Sequence, residues 1–154
     1  MATPKPKMVV TQRLEASCPS HARTDVMVRD TETVIDEPVE RGGTNLAPSP
    51  TETALAALAA CTNVVGHKVA KKHGVELQAM HVTLEGRLDR RGVTLQEEID
   101  VPFQSIRQII TITTDADEAL IAKVQEDLPK YCPVSKLFRQ SGTVVTDEWT
   151  VNRP

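Results

Sequence analysis

The chain has 154 residues, 25% charged and 40% hydrophobic, with a formal net charge of −3. That is enough for one domain with its own core, residues 8–154 behind a loose tail of residues 1–7, and ordinary for a soluble globular protein. A weakly acidic chain with only 3% aromatics, Phe103, Phe138, Tyr131 and Trp149, has neither the basic field nor the stacking platform of a nucleic-acid binder.

No apolar run approaches the roughly 20 residues of a membrane span. The basic start, Met1-Ala2-Thr3-Pro4-Lys5-Pro6-Lys7, leads into no long apolar stretch, so it does not read as a signal peptide. A cytoplasmic location is the expectation, and there three cysteines are expected as reduced thiols rather than a disulfide framework.

Residues 8–17 and 23–28 alternate as strands, with Cys18-Pro19-Ser20-His21 between them as a hairpin tip. A third strand is expected over 33–36, before the breaker-rich loop Arg41-Gly42-Gly43-Thr44-Asn45-Leu46-Ala47-Pro48. The next element carries the strongest signals. Ser49 can cap a helix, Pro50 suits its first position, and Glu52 stands where a capping-box glutamate belongs. Leu55, Leu58, Thr62, Val65 and Val69 repeat at helical spacing. Lys71, Lys72 and His73 complement the macrodipole, and Gly74 ends a helix of about 23 residues, roughly 34 Å long. Its Ala- and Leu-rich first half suits burial on several sides.

Strands are expected over 80–88 and 106–113, with 89–102 as an exposed excursion between them. A helix capped by Thr114 or Asp115 should run to Leu128 and stop at Pro129. A short helix should then start at Cys132-Pro133 and end near Gly142, followed by a last strand over 143–151. Strands, helix, strands, helices, strand is an α+β order rather than a doubly wound one.

The chain lacks a phosphate-binding glycine loop, a dinucleotide fingerprint, a zinc-protease helix and a nucleophile elbow. The thiols are therefore the candidate chemistry, with neither cofactor nor metal implied. Cys61 falls on the apolar side of its helix, where a free cysteine often serves as a small hydrophobe. Mid-helix it gains little from the dipole, and burial would raise its pKa. Cys132 reads as the N-cap of its helix, where unpaired N–H groups favour a thiolate and Ser135 can add a hydroxyl. Cys18 and His21 form at most half a metal site, and a solvated turn explains them better. His67 lies six residues after Cys61, about 120° away around the helix, which is poor geometry for a shared metal. His73 and His81 read as surface residues. Glu52 lies about 13 Å along the helix axis from Cys61 and could meet such a thiol only across a dimer.

Three stretches in this order, Gly42-Gly43-Thr44-Asn45 with Pro50-Thr51-Glu52, then Ala56-Ala57-Leu58-Ala59-Ala60-Cys61, then Cys132-Pro133-Val134-Ser135, resemble the OsmC/Ohr superfamily of osmotically inducible and organic-hydroperoxide-resistance proteins. The resemblance implies an OsmC-like α+β fold, a long central helix packed in mostly antiparallel sheets of an intertwined homodimer. It implies a thiol-dependent peroxidase active in oxidative-stress defence. In such an enzyme Cys61 would attack a small hydroperoxide, Cys132 would resolve the sulfenic acid as a disulfide, and a dithiol reductant of lipoyl type would reopen it. Glu52 joins the implied site. The chain departs from the peroxidase pattern in two places. Its first hairpin holds no Gly-Gly-Arg, and Thr51 rather than glutamate follows Pro50. Arg13, Arg23 and Arg29 are the candidates for a charge beside Cys61. A non-catalytic dimer that binds a small apolar ligand at the same interface is the alternative reading.

Overall fold

The computed structural model describes residues 8–154, so the expected tail at 1–7 lies outside the described residues. The chain divides into two compact units at Thr53/Ala54.

The first unit is a small antiparallel meander of β1 (Glu15–Ser17), β2 (Thr24–Val28) and β3 (Thr31–Ile35). The expected strand over 8–17 is paired only over its last three residues. The register explains why. Glu15 lies opposite Met27 and β2 ends one residue on, at Val28, so the chain before Leu14 runs past the end of its partner. Arg29, with a φ of 57°, turns the chain from β2 into β3. Asp36 does not extend β3. Its buried carboxylate accepts hydrogen bonds from the Thr44 hydroxyl and the N–H groups of Glu37, Thr44 and Leu46, and so folds the breaker-rich loop around itself.

Helix α1 (Pro50–Lys72) begins as the capping signals predict, with the Ser49 N–H donating to Glu52 at 2.8 Å. In the second unit Leu58, Thr62, Gly66, Val69 and Ala70 form its buried face. Two glycines set the approach of helix to sheet. A Cβ at Gly66 would stand 2.9 Å from the tip of Met80, and one at Gly86 would stand 2.9 Å from a Leu55 methyl. The expected burial on several sides is not met within the single chain. Ala56, Ala57, Ala60 and Val64 stay exposed on the opposite face.

The second unit's sheet has the order β4 (Ala79–Leu88), β5 (Phe103–Thr113), β6 (Val144–Asn152). β4 pairs with β5 antiparallel, as a long hairpin whose excursion is residues 89–102. β6 returns parallel to β5. A parallel return needs a crossover, and α2 (Glu118–Tyr131) and α3 (Pro133–Gln140) supply it. The element order is α+β as expected, with one parallel pair inside mostly antiparallel sheets.

Two helix boundaries differ from the sequence reading. α2 starts at Glu118, because the Thr114 hydroxyl is drawn to the Glu76 carbonyl at 2.7 Å instead of capping a helix. It also passes through Pro129. A proline so close to the C-terminal end sacrifices one backbone bond, and the next turn is still closed by Cys132 N–H donating to the Leu128 carbonyl at 3.0 Å. β5 begins three residues earlier than expected, and Phe103 meets Phe138 edge-to-face with ring centroids 5.3 Å apart.

Leu58, Ile106, Ile110, Ile112, Ile121 and Leu128 form the centre of the aliphatic core. Among the described residues no helix is long and apolar enough to cross a membrane.

Candidate functional site

Cys61 lies midway along α1, in the stretch whose inner neighbours Leu58 and Thr62 are packed on the sheet. It is half-buried, in contact with the core on one side and lining a cleft on the other. The cleft encloses about 720 Å³ and is walled by Val64, Val65 and Val69 of α1 and by Tyr131 and Pro133 at the α2–α3 junction. Lys68 and Lys72 stand at it as well, so the space is apolar with cationic groups on one wall. Lys72 is held by Asp127 at 2.9 Å and lies over the Tyr131 ring, 4.8 Å from its centroid.

Cys132 is the N-cap of α3, with Pro133 behind it at the first helical position, as the sequence suggested. Its Sγ accepts the Ser135 N–H at 3.4 Å. The expectation that this cap would make Cys132 an acidic thiol is overturned. The residue is 1% exposed. Burial pushes its thiol up to about 11, the neighbouring Cys61 adds to the rise, and the Ser135 and Val134 N–H groups only partly offset it. Loss of hydration here outweighs one short helix end. Ser135 contributes its backbone N–H to the sulfur, while its hydroxyl accepts from Arg139 at 3.0 Å.

The fold thus brings the two cysteines together in a definite order. Cys132 keeps its proton at neutral pH and sits inside the protein, with Cys61 near enough to raise its pKa. Cys61 is the member of the pair that borders the cleft. Such an arrangement suits one reachable thiol backed by a second that can condense with it.

The remaining sequence candidates are engaged elsewhere. Cys18 is exposed on the β1–β2 hairpin, its sulfur 3.9 Å from the Thr24 hydroxyl. Glu52 binds the Ser49 N–H, which holds its carboxyl below the usual range, with the nearby charge of Arg41 acting in the same direction. Arg41 was not among the arginines weighed from sequence. Arg23 is held bidentate by Asp25, at 2.7 and 3.1 Å. Arg29 occupies the β2–β3 turn, and Arg13 precedes β1. His67 Nδ1 donates to the Asn63 carbonyl, and His81 pairs with the Thr83 hydroxyl, both on the surface. His73, expected at the surface, is half-buried and lies 2.8 Å from Asp127. Among the described residues no group of three or more His, Cys, Asp or Glu side chains is arranged to hold a metal ion.

Sequence reasoning missed the cleft itself and the polar side chains behind the thiols. Gln108 offered one signal. It occupies an inward position of β5 among Ile106, Ile110 and Ile112, a polar residue on an otherwise apolar face.

Comparison with known proteins bears on this arrangement. No curated protein matches the sequence at a significant level. Solved structures do share its fold. The OsmC-like protein of Mycoplasma pneumoniae superposes with a TM-score of 0.78 at 16% identity, covering 94% of this chain and 99% of that one. The organic hydroperoxide resistance protein OsmC of Legionella pneumophila gives 0.62 at 22% identity, covering 94% and 99%. The organic hydroperoxide resistance protein OhrB of Bacillus subtilis gives 0.60 at 18% identity, covering 92% and 98%. At these identities the likeness is one of fold. The sequence itself matches the OsmC-like protein family across residues 43–147, a stretch that holds α1, both sheet hairpin strands and the Cys-Pro helix start. The chain belongs to the OsmC-like family.

Proposed function

We propose that this protein reduces organic hydroperoxides with the Cys61/Cys132 thiol pair, takes electrons from a small dithiol, and works as a homodimer in the cytoplasm. The observation that carries this reading is the pairing of a cleft-lining thiol with a buried, protonated one. The organic hydroperoxide resistance proteins of Legionella pneumophila and Bacillus subtilis, which share the fold, support it.

The chemistry runs in three steps. The Cys61 thiolate attacks the distal oxygen of the hydroperoxide; an S–O bond forms, the O–O bond breaks, and the alkoxide leaves as the alcohol, taking up the proton released when Cys61 ionised. The Cys132 sulfur then attacks the sulfenic sulfur of Cys61; the S–S bond forms, and the hydroxyl leaves as water with the Cys132 proton. A dithiol exchanges with the disulfide, becoming a cyclic disulfide itself and restoring both thiols. Val64, Val65 and Val69 favour a peroxide with an apolar substituent.

The exposed face of Ala56, Ala57, Ala60 and Val64 supports the homodimer, since small side chains let a second helix approach closely. Glu52 belongs to the site through that dimer, its charge set by the cap and by Arg41.

Turnover tests the reading. With cumene hydroperoxide and dihydrolipoamide, consumption should continue far past one peroxide per chain. If no peroxide is lost beyond the protein-free control, the peroxidase reading fails and the cleft is a binding site for a small apolar ligand.

A further inference from the structure

Behind the two cysteines runs a continuous polar chain, buried at Thr62, Gln108 and Ser135 and half-buried at Asp147 and Arg139. The Thr62 hydroxyl donates to Gln108 Oε1 at 2.9 Å, and Gln108 Nε2 donates to Asp147 Oδ1 at 2.8 Å. Asp147 Oδ2 accepts from Arg139 at 2.7 Å, and Arg139 Nε donates to the Ser135 hydroxyl at 3.0 Å. Ser135 in turn gives its N–H to the Cys132 sulfur. Chemistry fixes the directions. A carboxylate only accepts, so Gln108 must turn its amide N–H₂ to Asp147 and its oxygen to Thr62. The chain crosses α1, β5, β6 and α3, and its two ends are the residue beside Cys61 and the cap made by Cys132.

Thr62, Gln108 and Ser135 are buried at 1%, 2% and 3% exposure, and among the described residues no buried side-chain nitrogen or oxygen lacks a partner. The buried members of this chain cost desolvation, and apolar residues of the same volume often give equal or greater stability. What such a chain supplies is geometry. The bond from Thr62 fixes the rotation of α1 about its axis, and therefore the direction in which Cys61 points. The bonds from Arg139 to Ser135, Asp147 and the Val145 carbonyl, the last at 2.9 Å, fix the first turn of α3 against β6.

We propose that Gln108, Asp147 and Arg139 are positioning residues that set the spacing and alignment of Cys61 and Cys132, and thereby how readily the two join in a disulfide. A disulfide has strict geometry, so the equilibrium for closing it reports small changes in the relation of the two helices. The inference rests on the thiol-pair reading of the site, though not on peroxide as the oxidant.

The test is the reduction potential of the Cys61–Cys132 disulfide. It is measured in glutathione buffers by peptide mapping of that bond, the exchange being dithiol plus oxidised glutathione giving disulfide plus two reduced glutathiones. Asp147→Asn should weaken closure on the order of tenfold, about 30 mV for this two-electron couple. Thr62→Val, which keeps the shape and removes one hydrogen bond, should shift it in the same direction by less, and serves if Asp147→Asn does not fold. Glu148→Gln is the contrast. It breaks the exposed Arg107–Glu148 pair on the outer face of the same strands and should leave the potential unchanged. Unchanged potentials in folded Asp147→Asn and Thr62→Val would overturn the proposal, as would an equal shift in Glu148→Gln. Wild-type protein that closes the disulfide in glutathione but does not consume hydroperoxide would refute the peroxidase reading while leaving this test decisive.

Discussion

Cys61 lies close enough to the buried Cys132 to raise its pKa, and only Cys61 borders the cleft. The two cysteines are therefore unequal in a way that neither local sequence expresses. Cys132 has the helix N-terminus, but burial holds its proton in place. At neutral pH, brief treatment of the native protein with iodoacetamide should label Cys61 and the exposed Cys18 while leaving Cys132 unmodified. Mass mapping of the alkylated peptides checks this. In Cys61→Ala the Cys132 pKa should fall, since the contributions from Cys61 are gone, yet remain above an ordinary thiol because the burial persists. Preferential labelling of Cys132 in the wild type would contradict the assignment.

Glu52 caps α1, and the proposed site gives it a second, separable role. As a capping-box residue it can be replaced by glutamine, whose side-chain oxygen also accepts from the Ser49 N–H. As a charge in the proposed site it cannot. Glu52→Gln should keep the thermal midpoint close to wild type while hydroperoxide turnover falls roughly tenfold or more. Equal turnover in a folded variant would reduce Glu52 to a helix cap.

Asp36 gives the fold a defined acid limit. Hydrogen bonds from the Thr44 hydroxyl and the Leu46 N–H lower its pKa to about 2, from 3.8. The folded value lies below the unfolded one, so the native state releases this proton more readily. Its contribution is complete above about pH 4 and is lost as pH falls toward about 2. Asp36→Asn should melt several degrees below wild type at pH 7, with the gap narrowing as the pH is lowered across that window. A constant gap from pH 7 to pH 2 would show that the carboxylate's charge is irrelevant there.

Legibility in the sequence followed the range of the forces involved. α1 was readable because its start and its stripe are local: Ser49, Pro50, Glu52 and the Leu58–Thr62–Val69 spacing all act within a few residues. β1 was overread because alternation reports a pleat but not whether a partner strand is long enough to pair with it. α2 was misplaced at both ends, since Thr114 found a distant carbonyl and Pro129 fell where its lost N–H matters little. Of the site, Cys132 as a cap was visible and its acidity was misjudged, because a helix end is local and burial is not. The proximity of Cys61 and Cys132 came from the resemblance, not from spacing. The Gln108–Asp147–Arg139 chain depends on strand register, and Gln108 among isoleucines was its only trace.

The most direct test of the thiol-pair account is peptide mapping of the wild-type protein after one equivalent of cumene hydroperoxide, without added reductant. A single disulfide between Cys61 and Cys132, with Cys18 still a free thiol, is the predicted product. A disulfide containing Cys18, or two unmodified thiols at Cys61 and Cys132, would contradict it.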